Sequence, residues 1–452
     1  DHRGPYLVRH FRLPRFSLPM SPGGAAAEQR RGVVNTDSIG TRKRSGKGPA
    51  ESFTARMPPK SEVAPEPLEG SPPSQGPVVA SVTIRKGSTW DPYRMTNGPP
   101  RVGANPDQSL LEDGDGLLDW SALQAWITTS TVPGVGPVVA SRRLAGGTQN
   151  NLFELTREDG STTVLRRPPR HPRPESDKTM LREARVLTAI EGHGVPQPIC
   201  HAVCDDPGVI GTCFYVMSAV GGFAPVGDLP GRYATDPEWR HRLGFAMVDA
   251  IAALARVRPA EVGLGDLGRP DGWLERQVGR WRRQLESYTA FDGYDGPDLP
   301  EVERVGDWLE AHRPDDFTLG IIHGDYHLAN VMASHDRPEL TAVLDWELTT
   351  LGDPRLDLAW LLTTSGGVGS FETMANGFPT TDELVSRYGE GTGLRMDDLT
   401  WWRALACYKL GIILEGTNAR ASAGRAPVEI GRDLHGRAVD LFTQASGLID
   451  RH

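Results

Sequence analysis

His323-Gly324-Asp325-Tyr326-His327-Leu328-Ala329-Asn330 is the most informative run in this chain, and Asp345-Trp346-Glu347 begins fifteen residues after its Asn. Between them, Leu340 to Leu344 is a brief apolar run that reads as a strand delivering Asp345 at its end. An Asp, an Asn five residues on, and a second Asp at a strand end form a phosphoryl-transfer arrangement. The first carboxylate, Asp325, can hold and deprotonate an acceptor hydroxyl. Asn330 and Asp345 offer the hard oxygen ligands that Mg2+ takes when it bridges nucleotide phosphates. His323-x-Asp325-x-His327 also matches part of a metal-hydrolase loop. That reading leaves Asn330 and Asp345 unexplained, and nothing downstream supplies a second His/Asp cluster at hydrolase spacing.

Working outward, the residues before this run alternate like strands and those around it repeat like helices. Val138 to Leu144, Asn151 to Thr156 and Thr162 to Arg167 read as three strands, the last two joined by the turn Glu158-Asp159-Gly160-Ser161. Ser176 to Ile190 reads as an amphipathic helix with Met180, Ala184, Leu187 and Ile190 on one face. Pro198 to Val203 and Thr212 to Met217 are two more strands, and Leu117 to Ile127 is a helix ahead of the first, with Asp115 or Asp119 as its cap. Downstream, helices are expected at Pro237–Val257, Gly272–Tyr288, Pro300–His312, Leu356–Leu362, Thr381–Tyr388, Leu399–Gly416 and Arg432–Ile449.

The H-G-D-x-x-x-x-N and D-W-E elements are followed by Gly352-Asp353-Pro354-Arg355-Leu356-Asp357-Leu358-Ala359. With that continuation the chain resembles the aminoglycoside phosphotransferase and choline kinase-like family from about Leu117 onward. Gly377-Phe378-Pro379-Thr380 through Tyr388, then Tyr408-Lys409-Leu410 to Glu415-Gly416, resemble a narrower branch of phosphotransferase domains associated with acyl-CoA dehydrogenases. The resemblance implies an α+β, two-lobed protein kinase-like fold. A small antiparallel sheet with one helix would form a nucleotide-binding lobe over 106–222, and 223–452 a helical lobe carrying the catalytic loop, metal site and acceptor site. It implies ATP, or another nucleoside triphosphate, and Mg2+ as cofactors, and a hydroxylated small molecule as acceptor. By that likeness Asp325 is the catalytic base, Asn330 and Asp345 are metal ligands, and His323, Asp353 and Asp357 hold the structure.

The nucleotide side departs from the family pattern. Gly146, Gly147 and Thr148 lie between two strands, where a phosphate-covering loop belongs, but without G-x-G-x-x-G spacing. The third strand should offer a Lys to the phosphates and carries Arg166 instead, which can grip phosphate oxygens with its planar fork. Arg167 should face the other side of that strand. Glu183 matches the helix carboxylate that pairs with this cation, with Arg182 and Arg185 as competing partners. Ser218, Ala219 and Val220 fit the hinge whose backbone meets the base. These departures support one alternative, a catalytically silent nucleotide-binding interaction module. For the acceptor side, Trp401, Trp402, Tyr408, Glu415, Asn418 and Arg420 lie on or after one helix that could line the cleft, although aromatic residues at helical spacing are more often core.

Composition sets the outer bounds. The 452 residues carry 49 basic and 58 acidic side chains, a formal charge of −9, which argues against non-specific nucleic-acid binding. Residues 1–105 hold 16 Lys and Arg against 8 Asp and Glu, so 33 against 50 remain in 106–452. The same segment holds 15 Pro and 12 Gly, a proportion that favours disorder, with Val78 to Ile84 its one candidate strand. Arg3 to Arg31 has the Arg-rich, acid-poor composition of a transit peptide, but Leu13-Pro14, Leu18-Pro19 and Ser21-Pro22 break the helix such a peptide needs, so a solvated tail is expected. The chain opens on Asp1, and Met57 and Met95 are alternative starts. No apolar run approaches eighteen residues, and no membrane association is expected. Cys200, Cys204, Cys213 and Cys407 lack the paired spacing of a zinc knuckle and read as buried thiols of a reducing, cytoplasmic setting.

Overall fold

The computed structural model describes Leu111 and residues 116–144, 150–364 and 376–452. Helix α1 (Trp120–Thr129) starts where Asp119 accepts a hydrogen bond from Ala122 N at 3.0 Å. Strands β1 (Val138–Arg143), β2 (Asn151–Arg157) and β3 (Thr162–Arg167) follow, then helix α2 (Ser176–Ile190), then β4 (Cys200–Cys204) and β5 (Phe214–Ser218). They form one five-stranded antiparallel sheet of order β1-β2-β3-β5-β4. The two-residue period of the strands divides the packing. Leu165 and Val216 face α1, with Leu123 and Ile127 in their cluster, whereas Val164, Tyr215 and Met217 face α2, with Met180, Ala184 and Leu187. Arg166 therefore lies on the α2 face. Arg167 lies on the other, where its guanidinium donates to the carbonyls of Leu117 and Pro168.

The remainder is mostly helical: α3 (Arg232–Thr235), α4 (Pro237–Arg256), α5 (Trp273–Glu286) and α6 (Val302–Ala311). Four short strands come next: β6 (Gly320–Ile322), β7 (Val331–Ala333), β8 (Leu340–Val343) and β9 (Thr350–Gly352). They pair antiparallel as β6 with β9 and β7 with β8. Helices α7 (Arg355–Thr364), α8 (Thr381–Thr392), α9 (Leu399–Ser422) and α10 (Val428–Ile449) complete the lobe. The central member is α9, packed against α5, α6, α7 and α10, and almost all of its residues from Trp401 to Ala421 are buried. Thr380 and Glu383 close a reciprocal capping box at the start of α8.

The expected α+β architecture is therefore present, with local corrections. Strands β7 and β9 and helix α3 are additional to the sequence reading; at three or four residues each, they are too short to show a period. The last helix begins at Val428, behind Pro427, rather than at Arg432. Thr212 precedes β5 and is instead fixed by a 2.6 Å bond from its hydroxyl to Asp177. Residues 1–105, with the Val78–Ile84 strand, and the candidate loop residues Gly146, Gly147 and Thr148 lie outside the described residues. Among the described residues no helix is long and apolar enough to cross a membrane. All four cysteines are free, and Cys204 and Cys213 donate to the carbonyls of Asp206 and Asp205.

Candidate active site

The loop after β6 is built on a buried carboxylate. Asp357, near the start of α7, accepts the backbone N–H of His323 at 2.7 Å and of Gly324 at 3.0 Å. Gly324 has φ +86°, and a Cβ there would lie 2.6 Å from the carbonyl oxygen of Leu348, so any side chain must displace backbone. His323 is fully buried; its Nε2 donates to Leu344 O at 3.0 Å and its Nδ1 accepts from Asp325 N at 3.3 Å. Burial also pushes the imidazole pKa down, which favours this neutral form.

This frame presents Asp325, whose side chain keeps 20% of its surface open. Its Oδ1 accepts from Trp360 Nε1 at 3.2 Å, and its Oδ2 accepts from Asn330 Nδ2 at 3.1 Å with His327 Nε2 at 3.5 Å. Burial alone would raise this carboxyl's pKa. His327, His323 and Lys409 outweigh burial and hold it well below the usual carboxylate range.

The fifteen-residue interval from Asn330 to Asp345 is a hairpin. Val331 pairs with Val343, so Asn330 sits opposite Leu344, whose N–H donates to Asn330 O at 2.8 Å. Asp345 follows at once, with φ +68° and ψ +61°, a left-handed conformation that Asp tolerates better than most residues. The Asn330 amide nitrogen is turned toward Asp325, so its oxygen points the other way. Asn330, just before β7, and Asp345, just after β8, thus place two oxygen-bearing side chains at one end of the hairpin. Among the described residues no cluster of three or more His, Cys, Asp or Glu could hold a metal by itself. This donor set fits Mg2+, which takes one or two protein oxygens and completes its shell with phosphate and water.

Arg166 joins this hairpin to the sheet. Its Nε donates to Glu183 at 2.9 Å and its Nη2 to Asp345 at 3.2 Å, across 179 residues of chain. All three side chains are at most 8% exposed. Burial opposes the charge on Arg166, but Glu183 above all, with Asp345 adding, holds the guanidinium firmly cationic. Burial is also the main reason the Glu183 pKa is raised. The competing arginines are engaged elsewhere. Arg182 donates to the carbonyls of Leu267, Glu347 and Thr349, and Arg185 pairs with Asp266.

Ser218 closes β5 with its N–H and hydroxyl occupied: the N–H donates to Ile199 O and the hydroxyl accepts from Ile199 N, each at 2.9 Å. Ala219 and Val220 are half-buried beyond the last ladder pair, so they rather than Ser218 could offer backbone N–H groups to a base. The chain then returns to the hairpin, with Phe223 N to Ala333 O at 3.0 Å and Ala333 N to Phe223 O at 2.8 Å. Gly222, at φ +132°, permits this approach, because a Cβ would lie 2.3 Å from Ala333 O.

Several acceptor candidates are structural. Trp401, Trp402 and Tyr408 are core residues at 0–2% exposure. Glu415 accepts from Tyr294 at 2.7 Å, His435 at 2.7 Å and Asn418 at 3.0 Å, which occupies its carboxylate. Asp353 holds both prongs of Arg355 and the Thr318 N–H. Sequence reading gave no role to Lys409, whose Nζ donates to Gly324 O at 3.1 Å and lies 4.2 Å from the centre of the Trp360 ring. One signal was available: Lys409 is the sole charge between Ala404 and Leu414.

Comparison with known proteins identifies the family and the fold. The model of the phosphotransferase enzyme family (APH) matches residues 141–405. Acyl-CoA dehydrogenase family member 11 of Gallus gallus is 32% identical over 306 residues, covering 64% of this chain and 38% of its own length. Acyl-CoA dehydrogenase family member 10 of Mus musculus is 29% identical over 289 residues, covering 62% of this chain and 26% of its own. The chain thus spans about a quarter to two fifths of these curated relatives. A crystal structure from Ralstonia eutropha, provisionally named an aminoglycoside phosphotransferase, superposes with a TM-score of 0.64 at 30% identity, covering 74% of this chain and 98% of that one. The GDP complex of aminoglycoside 2'-phosphotransferase-IIIa shares the fold at 14% identity and a TM-score of 0.51, covering 71% and 99%. With the matched region holding both the β3–α2 ion pair and the Asp325 loop, the chain belongs to the phosphotransferase enzyme family.

Proposed function

We propose that this chain transfers the γ-phosphoryl group of ATP, with Mg2+, to a hydroxyl group of a small molecule. The observation that carries the reading is that Asp325, Asn330, Asp345 and the Arg166–Glu183 pair are bonded together around the base of one hairpin. Asp325 receives the acceptor hydroxyl through an oriented carboxylate. As the oxygen–phosphorus bond forms, the bond from the γ-phosphorus to the bridging oxygen breaks and its electron pair leaves on ADP. The hydroxyl proton passes to Asp325. Because the transition state is loose, this proton moves late, and a weakly basic carboxylate suffices to align the oxygen and take it. Arg166, steadied by Glu183, grips phosphate oxygens, and the backbone of Ala219 and Val220 meets the base, with Ser218 fixing the hinge from behind. Gly146, Gly147 and Thr148 cover the phosphates in this reading. Asn330 and Asp345 would hold Mg2+, which neutralises phosphate charge when bound.

The test is transfer from radiolabelled ATP to a panel of hydroxylated metabolites, comparing the parent with Asp325→Asn. Product from the parent and its loss in the variant are expected; equal transfer by both removes Asp325 from its role. The hold of Arg166 on Asp345 favours a second reading, a nucleotide-binding module without turnover. Thermal stabilisation by ATP and Mg2+ with no product across the panel selects that reading. A parallel titration with GTP settles the choice of nucleotide.

A further inference from the structure

Beside the Asp325 loop lie cations that the phosphoryl-transfer reading does not use. Lys409 lies on α9 with its ammonium beside the catalytic loop, bonded to Gly324 O at 3.1 Å. It rests 4.2 Å from the centre of the Trp360 ring, and the same indole donates to Asp325 at 3.2 Å. One aromatic ring therefore separates this ammonium from the catalytic carboxylate. Trp281 forms a second wall, 6.0 Å from Nζ, and Arg280 at the exposed rim sits 5.2 Å from that ring. Arg280 is close enough to Lys409 to repel its charge. Among the described residues neither cation is in a salt bridge. Asp325 and Asp357 pull on Lys409 without touching it, and Arg280 pushes against it, so the ammonium's direct contacts are a carbonyl and aromatic faces. The ammonium has three donors, and one is spent on Gly324.

We infer that Lys409 and Arg280 form an acceptor-side subsite for an anionic oxygen group, a carboxylate or a phosphate, carried by the molecule whose hydroxyl meets Asp325. This rests on the phosphotransferase reading and narrows its acceptor to hydroxylated anions, in contrast to polycationic sugars. Trp360 fixes the spacing between the two ends, because it touches Lys409 through its face and Asp325 through its edge. A hydroxyl and an anion a few bonds apart can bridge them.

The test is isothermal titration of the full chain already loaded with Mg2+ and a non-hydrolysable ATP analogue. That first loading step reports on nucleotide binding separately, so its failure counts against the phosphotransferase reading and not against the subsite alone. The probes are two matched pairs: 3-hydroxybutyrate with 3-hydroxybutyramide, and glycerol 3-phosphate with glycerol. At least one acid is expected to bind ten-fold or more tightly than its neutral partner, and the pair that shows the gap identifies carboxylate or phosphate. Lys409→Gln should abolish the gap and Arg280→Gln should narrow it, with analogue affinity unchanged in both. Arg280→Gln, at an exposed position, keeps the test decisive should Lys409→Gln not fold. Equal binding within both pairs, a gap that survives Lys409→Gln or is unchanged in Arg280→Gln, or no measurable binding of either acid overturns the subsite.

Discussion

The two sides of the cleft are held together in different ways. The Asp325 loop is stabilised from close by: Asn330, five residues on, and Trp360 on the next helix bond Asp325 itself, and Asp357 on that helix accepts the backbone N–H groups of His323 and Gly324. The Arg166 side depends on distance, because Arg166 on β3 and Asp345 after β8 are 179 residues apart and meet only when both lobes are folded. The first is a rigid local device. The second is a junction, and the same ion pairs that shape it also join the lobes. Changes in the loop should therefore alter chemistry while leaving nucleotide affinity intact, whereas changes at the junction should alter affinity and stability together.

The largest expected effect breaks the loop side. Asp325→Asn should lower kcat by about 10²- to 10⁴-fold, the usual worth of a positioned base, with ATP affinity within about three-fold of the parent. Steady-state kinetics and nucleotide titration check both halves; a large fall in ATP affinity would erase the distinction between the sides. On the junction, Glu183→Gln leaves a buried guanidinium with Asp345 alone. It should cost about 3 kcal/mol of stability in denaturant unfolding and weaken ATP binding. An unchanged unfolding midpoint would show that Arg166 re-pairs without loss.

Gly324→Ala sharpens the loop side further. The residue needs φ +86°, and the new Cβ would meet a backbone carbonyl at 2.6 Å, so a loss of about 2 kcal/mol with reduced kcat is expected. Wild-type activity in that variant would mean the loop tolerates movement. The smallest effect is a pH dependence at Lys409. Burial pushes its pKa down to about 8 from 10.5, against the pull of Asp325 and Asp357 and with the push of Arg280. The ammonium is thus charged below about pH 8 and neutral above it, so anionic acceptors should bind more weakly as pH rises through that value. The unfolded chain keeps this proton up to about pH 10.5, so the residue's contribution to folding stability should rise over the same interval. Lys409→Arg, which stays charged, should flatten the affinity profile; an identical profile in the variant assigns the titration elsewhere.

The same division explains what the sequence disclosed. Spacing alone aligned Asp325, Asn330 and Asp345, because a loop and a hairpin convert intervals of five and fifteen residues into adjacency. Strand alternation placed Arg166 and Arg167 on opposite faces. Nothing in the order of residues reports that Arg166 reaches Asp345, or that Lys409 reaches Gly324 from 85 residues away. Glu415 resembled a ligand-facing carboxylate because two of its three donors, Tyr294 and His435, come from other segments, with only Asn418 on its own helix. The bonds of the Ser218 N–H and hydroxyl to Ile199 were likewise hidden, because Ile199 precedes a strand whose register the sequence left open.

Arg166 gives Asp345 an internal counter-ion. If Asp345 holds Mg2+ as proposed, the ion would compete with that guanidinium for one carboxylate. Metal alone would offer the arginine nothing in return, whereas metal arriving with phosphates would offer it new oxygens, so the site would work as an ion exchanger that takes up the pair more readily than either member alone.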